Sequence, residues 1–182
     1  MDNGVQVSSS NGIFYGPRLR STIAAGLLYA LQAVSLVFGF LIVPGTIQFE
    51  ISVTQYQLWF TIYMLAAMVA LPIQGRLMAR YGVKAVLAVS GVILIAAATG
   101  MAFSTDVVVL YVLSAPFGVG WAGATLTPAN TILVGWWPQH QRGRAIGISS
   151  MLGALAGVIY GLFFPALVEA GGYTPGILTM VA

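Results

Sequence analysis

Long apolar stretches broken by single charges set the rhythm of this chain. The uncharged windows are 21–49, 51–75, 85–105, 107–141 and 145–168. Crossing about 30 Å of hydrocarbon at 1.5 Å per residue takes roughly 20 apolar residues. Each of the five windows can hold one such helix, whereas the last window, 170–182, is too short. The pattern predicts an all-α membrane protein with helices at about 21–43, 55–75, 84–103, 107–134 and 144–168, and the opening of a sixth at 174–182.

Turn chemistry sets the expected edges. Pro44-Gly45 is expected to end the first helix, and Ser52 or Thr54 to cap the second. Pro116 and Pro128 fall inside the fourth helix and are expected to kink it. Pro175 suits the first turn of the sixth, which stops about halfway, as if the chain were cut short. Residues 1–17, with Ser8-Ser9-Ser10-Asn11-Gly12, read as a disordered cytoplasmic tail. The apolar stretch from Ser21 to Val43 exceeds the 7–15 residues of a signal-peptide core, so it reads as a retained span.

Composition sharpens this reading. Charged residues are 6% of the chain and apolar residues 59%, against about 25% and 45–50% in a soluble domain. So few charges cannot coat a water-facing surface. The chain has no cysteine and one histidine, His140, which leaves neither a disulfide nor a cysteine- or histidine-based metal or haem site. No cofactor is expected.

The order of the charges gives a topology. Past Asp2, the clusters alternate: Arg18 and Arg20, then Glu50; Arg76, Arg80 and Lys84, then Asp106; Arg142 and Arg144, then Glu169. If every window crosses, all seven Lys and Arg fall on one side. Short cytoplasmic loops are rich in Lys and Arg, so that side reads as the cytoplasm, with the amino terminus on it. The expected location is the plasma (inner) membrane. Trp136-Trp137-Pro138 lies beside a basic loop, where paired tryptophans are expected to anchor at the interface.

Several short patterns have more than one reading. Gly118, Gly120 and Gly123 spell G-x-G-x-x-G, a dinucleotide motif when a strand precedes it and a carboxylate follows. Here the glycines sit within an apolar window and no carboxylate lies between Asn130 and Gln141, so close helix packing is expected instead. Gly153, Gly157 and Gly161 recur every four residues and are expected to form one smooth helical face. Gln32 lies mid-helix, where an unpaired amide is costly, with Tyr29 and Ser35 on the same stripe. It must bond a neighbouring helix or line a wet cavity. Tyr29, Gln32, Ser35, Asn130, Ser150 and Tyr160 are the candidate cavity residues, with Ser149, Thr125 and Thr127 as weaker ones. Gly147-Ile148-Ser149 has a superficial G-x-S, but the only possible histidine base, His140, lies in a loop, so no enzyme is expected.

Two loops carry a family resemblance. Residues 75–87, GRLMARYGVKAVL, resemble the G-x-L-x-D-R-x-G-R-K-x-x-L signature of the major facilitator superfamily through Gly75, Leu77, Arg80, Gly82, Lys84 and Leu87. Ala79 stands where that family usually has Asp, and Val83 where it often has Arg. Residues 136–149, WWPQHQRGRAIGIS, are similar to its W-F-P-x-x-x-R-G-x-A-x-G-I run through Arg142, Gly143, Ala145 and Gly147, with Arg144 between them. The section 44–55, P-x-x-x-x-F-E-x-S-x-x-Q, looks like the monocarboxylate and oxalate–formate branch.

The resemblance implies a major-facilitator-type bundle, here helices 1–5 plus the start of helix 6. Such carriers are built from repeats that alternate access around a central site. It implies a secondary active transporter of a small solute, an organic anion if the branch holds. It also implies a carboxy-terminal six-helix half as partner, besides the lipid bilayer and the solute. No nucleic-acid partner is expected. The signature loop would latch the two halves, and Ala79 removes its usual carboxylate. The competing reading is a non-transporting membrane fragment or interaction subunit from a truncated gene.

Overall fold

A computed structural model describes residues 16–178, all helix and short connections, with no strand among them. The expected tail falls mostly on residues 1–15, outside the described residues, as do the last four residues expected in the sixth helix. Gly16 and Pro17 already belong to α1.

The first span is α1 (Gly16–Ala33), a 3-10 stretch (Val34–Leu41) and α2 (Ile42–Phe49), continuous from Gly16 to Phe49. The expected stop at Pro44-Gly45 is therefore corrected. The α geometry restarts at Ile42, so Pro44 falls in a first turn, where its missing N–H does little harm. Gly45 serves packing: a Cβ there would strike the Tyr56 ring. The span ends at Glu50, whose left-handed φ of 53° is the only positive value outside glycine among the described residues.

α3 (Val53–Tyr81) opens with a capping box. Ser52 Oγ accepts from Gln55 N–H at 3.3 Å, and Gln55 Oε1 accepts from Ser52 N–H at 3.1 Å. Ser52, not Thr54, is thus the cap. The helix runs past Gly75, the expected end, to Gly82, whose φ of 84° breaks it before α4 (Val83–Ala102). Arg76 and Arg80 are good helix formers whose heads reach water, so charge does not stop the helix.

The fourth span divides into α5 (Val107–Ala124) and α6 (Leu126–Trp136). Asp106 caps α5 through Val108 N–H at 2.8 Å. Pro128 has no N–H for the carbonyl of Ala124, and the chain breaks at Thr125 (φ −117°, ψ −104°). Pro116 leaves α5 unbroken. A 3-10 turn (Gln139–Gln141) leads into α7 (Arg142–Gly171), which Gly172 ends at φ 76° before α8 (Tyr173–Leu178).

α5 is the centre of one group and packs against α3 and α4; α1 packs against α7 and α6. The glycines of α5 make the contact backbone-close. A Cβ on Gly120 would lie 2.6 Å from Leu94 N and 2.9 Å from Ser90 O; one on Gly118 would strike the Tyr63 carbonyl, and one on Gly123 the Ser90 hydroxyl. The G-x-G-x-x-G run is thus a helix-packing surface. Around it Phe38, Trp59, Tyr63, Phe117 and Trp121 form an aromatic core in which Phe38 meets Trp59 and Tyr63 edge-on while Phe117 and Trp121 stack.

Five helical spans are long and apolar enough to cross a membrane, yet only 17–50% of each apolar stretch is buried inside the bundle. Leu27, Met68, Val92, Leu162 and Phe163 all point outward. Faces this apolar and this exposed require lipid around them. The chain is a multi-pass integral membrane protein.

The spans also sort the charges. Thr131 Oγ lies 3.9 Å from Met78 Sδ, and the Arg18 guanidinium 5.9 Å from the Trp137 ring, which brings the ends bearing Arg18, Arg80 and Arg142 together. At the other end, Gln48 donates to Ser104 O at 3.1 Å and Thr174 to Ala102 O at 2.9 Å, near Glu50, Asp106 and Glu169. One end of the bundle is basic and the other acidic.

Candidate functional site

The polar stripe on α1 meets α6 at Asn130, six residues from the end of that helix. Tyr29 Oη donates to Asn130 Oδ1 at 2.9 Å, a direct bond between residues 101 apart in the chain. One turn further on, Gln32 Oε1 is buried and accepts no hydrogen bond from any described group. Such an orphan acceptor is costly in an apolar span unless water or a ligand donates to it. Ser35 donates to the carbonyl of Gln32 at 2.8 Å, a local helix bond that leaves only its acceptor capacity for a ligand. Of the expected residues, Tyr29 and Asn130 are hydrogen-bonded to each other, and Gln32 lies one turn along α1 from Tyr29. Ser150 is half-buried and Tyr160 exposed, and neither is hydrogen-bonded to that group.

α7 lies behind this stripe. Ser149 is fully buried and donates to Thr22 O at 3.2 Å, so its hydroxyl joins α7 to α1. His140 is exposed in the turn before α7. A Cβ on Gly153 would come within 2.8 Å of Tyr29 Cβ and 2.9 Å of its carbonyl oxygen. Gly153 is therefore what lets α7 seat the backbone at Tyr29. Gly157 is buried, but a Cβ on Gly161 would meet nothing, so the smooth face does not extend to Gly161.

The basic end holds both motif loops. Gly75, Leu77 and Arg80 are turns of α3, Gly82 is the break, and Lys84 opens α4. Arg80 and Lys84 are exposed, and the Arg80 guanidinium lies 5.2 Å from the Tyr81 ring. In the second loop Arg142 donates through Nη2 to Val134 O at 3.1 Å and through Nε to Trp137 O at 3.2 Å. These are carbonyls at the end of α6, so Arg142 caps that helix and meets its negative dipole end. Gly143 and Arg144 are exposed. The expected tryptophan anchor is half corrected: Trp136 is exposed, but Trp137 is buried against Ala25, Leu133 and Ala145.

A further polar pair escaped the sequence reading. Gln74, in α3, donates to Val119 O at 3.3 Å and accepts from Ser90 Oγ at 3.5 Å, and both side chains are buried. The signal is weak, since Gln74 stands at the edge of window 51–75, two residues before Arg76, in a window that also holds Gln55 and Gln57. Gln74 is satisfied, whereas Gln32 Oε1 is not.

No curated protein matches the sequence. The profile of the Major Facilitator Superfamily matches residues 21–182, nearly the whole chain and every span described above. With its helical membrane bundle, the chain belongs to the major facilitator superfamily.

Proposed function

We propose that these spans form the first-half bundle of a secondary active transporter, which moves a small solute by alternating access around the Tyr29–Gln32–Asn130 cluster. The observation that carries this reading is Gln32 Oε1, a buried acceptor without a donor in mid-span. The Tyr29–Asn130 bond beside it leaves the Asn130 amide hydrogens free for a ligand. Resemblance of residues 44–55 to the organic-anion branch favours a small carboxylate. A bare carboxylate only accepts hydrogen bonds, so the solute that fits also carries a hydroxyl or amine: that O–H or N–H donates to Gln32 Oε1, the carboxylate accepts from the Asn130 amide, and its counter-charge lies on the other half. The enrichment of Lys and Arg in cytoplasmic loops supports a cytoplasmic basic end and amino terminus, and the plasma membrane is the proposed location.

An acyl-transfer or hydrolytic role has little support, because the Ser149 hydroxyl is buried and bonded to a backbone carbonyl. Counterflow tests transport without knowledge of the coupling ion. The intact protein is reconstituted in liposomes preloaded with one unlabelled solute from a panel of small carboxylates and neutral polar solutes. Saturable accumulation of at least one labelled solute is expected. Failure of every solute to exceed protein-free vesicles contradicts transport and favours a non-transporting interaction subunit.

A further inference from the structure

Away from the candidate site, α3 and α4 diverge from their joint at Gly82 and leave a groove of about 960 Å³, floored by Ala115 and Val119 of α5. Leu65, Val69 and Ile73 form one wall, and Val89 and Ile93 the other. The polar groups on its floor, Gln74 and Ser90, are bonded to each other and Gln74 also to Val119 O. The surface offered to an occupant is therefore apolar. Its volume is that of a ligand cleft, roughly 300–1,000 Å³, rather than of a packing defect.

The mouth is different. Tyr81 and Ala85 line it, and the Arg80 guanidinium stands 5.2 Å from the Tyr81 ring. Arg76 follows Val69 by seven residues and Arg80 follows Ile73 by seven, so both continue the groove face of α3. Lys84 adjoins Ala85, and all three cations are exposed. The carboxylates among the described residues, Glu50, Asp106 and Glu169, belong to the opposite end of the bundle.

We propose that this groove holds an acyl chain of an anionic phospholipid, whose headgroup sits on Arg76, Arg80 and Lys84. Charge decides between occupants. A second copy inserted in the same orientation would bring its own basic end to this mouth and repel it. A zwitterionic lipid would fill the groove but gain nothing net from three cations. An anionic lipid satisfies both the tail and the charge. The proposal is independent of whether the protein transports anything.

Native mass spectrometry of the protein in detergent tests it, with phosphatidylglycerol and phosphatidylcholine of identical chains titrated separately. The parent is expected to retain one phosphatidylglycerol at roughly tenfold lower lipid concentration than phosphatidylcholine, since each Lys or Arg near an anionic headgroup contributes severalfold. The triple variant Arg76→Gln/Arg80→Gln/Lys84→Gln is expected to retain the two lipids equally. Val89→Trp, at an exposed groove position, is expected to lose the retained lipid, whereas Leu162→Trp, equally exposed on α7 outside the groove, keeps it. If Val89→Trp does not elute as the parent does, Val69→Trp on the facing wall makes the same test. Equal retention of both lipids by the parent overturns the proposal. So does undiminished retention by a folded groove-filled variant, preferential uptake of free palmitate, or a dimer that displaces the lipid.

Discussion

Tyr29 Oη reaches Asn130 Oδ1 at 2.9 Å, and this bond ties the last part of α1 to α6 beyond the break at Thr125. It adds a polar tie to the packing of α1 against α6. A double-mutant cycle of Tyr29→Phe and Asn130→Ala measures it. Interhelical hydrogen bonds in membranes average about 0.6 kcal/mol and reach about 1.7. A coupling in that range is expected from thermal unfolding in detergent. Strict additivity of the two variants contradicts the bond.

The glycines of α5 and α7 are expected to differ sharply in tolerance. Gly120→Ala forces the α4 backbone at Leu94 and Ser90 to move, and Gly153→Ala forces α1 at Tyr29. Overpacking of this kind costs about 1–3 kcal/mol. Both variants should show lower melting temperatures and poorer monodisperse yield. Gly161→Ala meets open space and should match the parent or exceed it slightly, because alanine favours the helix. Equal melting of Gly120→Ala and Gly161→Ala contradicts the packing account.

The orientation is open to direct labelling, because the chain has no cysteine of its own. Single cysteines at Gln48, on the acidic end, and His140, on the basic end, are both exposed positions. An impermeant thiol reagent added to intact cells is expected to label position 48 and spare 140. The reverse pattern overturns the placement of the basic end in the cytoplasm.

The sequence makes some parts of this architecture plain and hides others for identifiable reasons. Charges delimit the spans because an ionised group is costly in hydrocarbon. Local chemistry is also legible: Ser52 with Gln55 is a complete capping box, and Pro128 removes a donor where the fourth span breaks. What misleads is chemistry whose meaning depends on a distant partner. Pro44-Gly45 looks like a stop, but the Tyr56 ring above Gly45 makes it a contact. Trp137 looks like an interfacial anchor until Ala25 and Ala145 are seen to cover it. Gly161 keeps the spacing of Gly153, yet nothing lies within 4 Å of where its Cβ would be. Within the candidate site the Gln32 stripe is visible from periodicity, whereas its junction with Asn130 needs the tertiary fold.

Gln32 carries the functional reading, and one substitution tests it most directly. Gln32→Leu keeps roughly the bulk, removes the orphan acceptor and suits the apolar surroundings. Relief of an unsatisfied buried group, on the order of 1–3 kcal/mol, should leave the fold intact or more stable. If the acceptor serves a ligand, solute affinity measured by counterflow competition should fall at least severalfold while expression and melting temperature hold. Unchanged affinity and exchange rate in a stable Gln32→Leu protein would contradict the placement of the substrate site on this stripe.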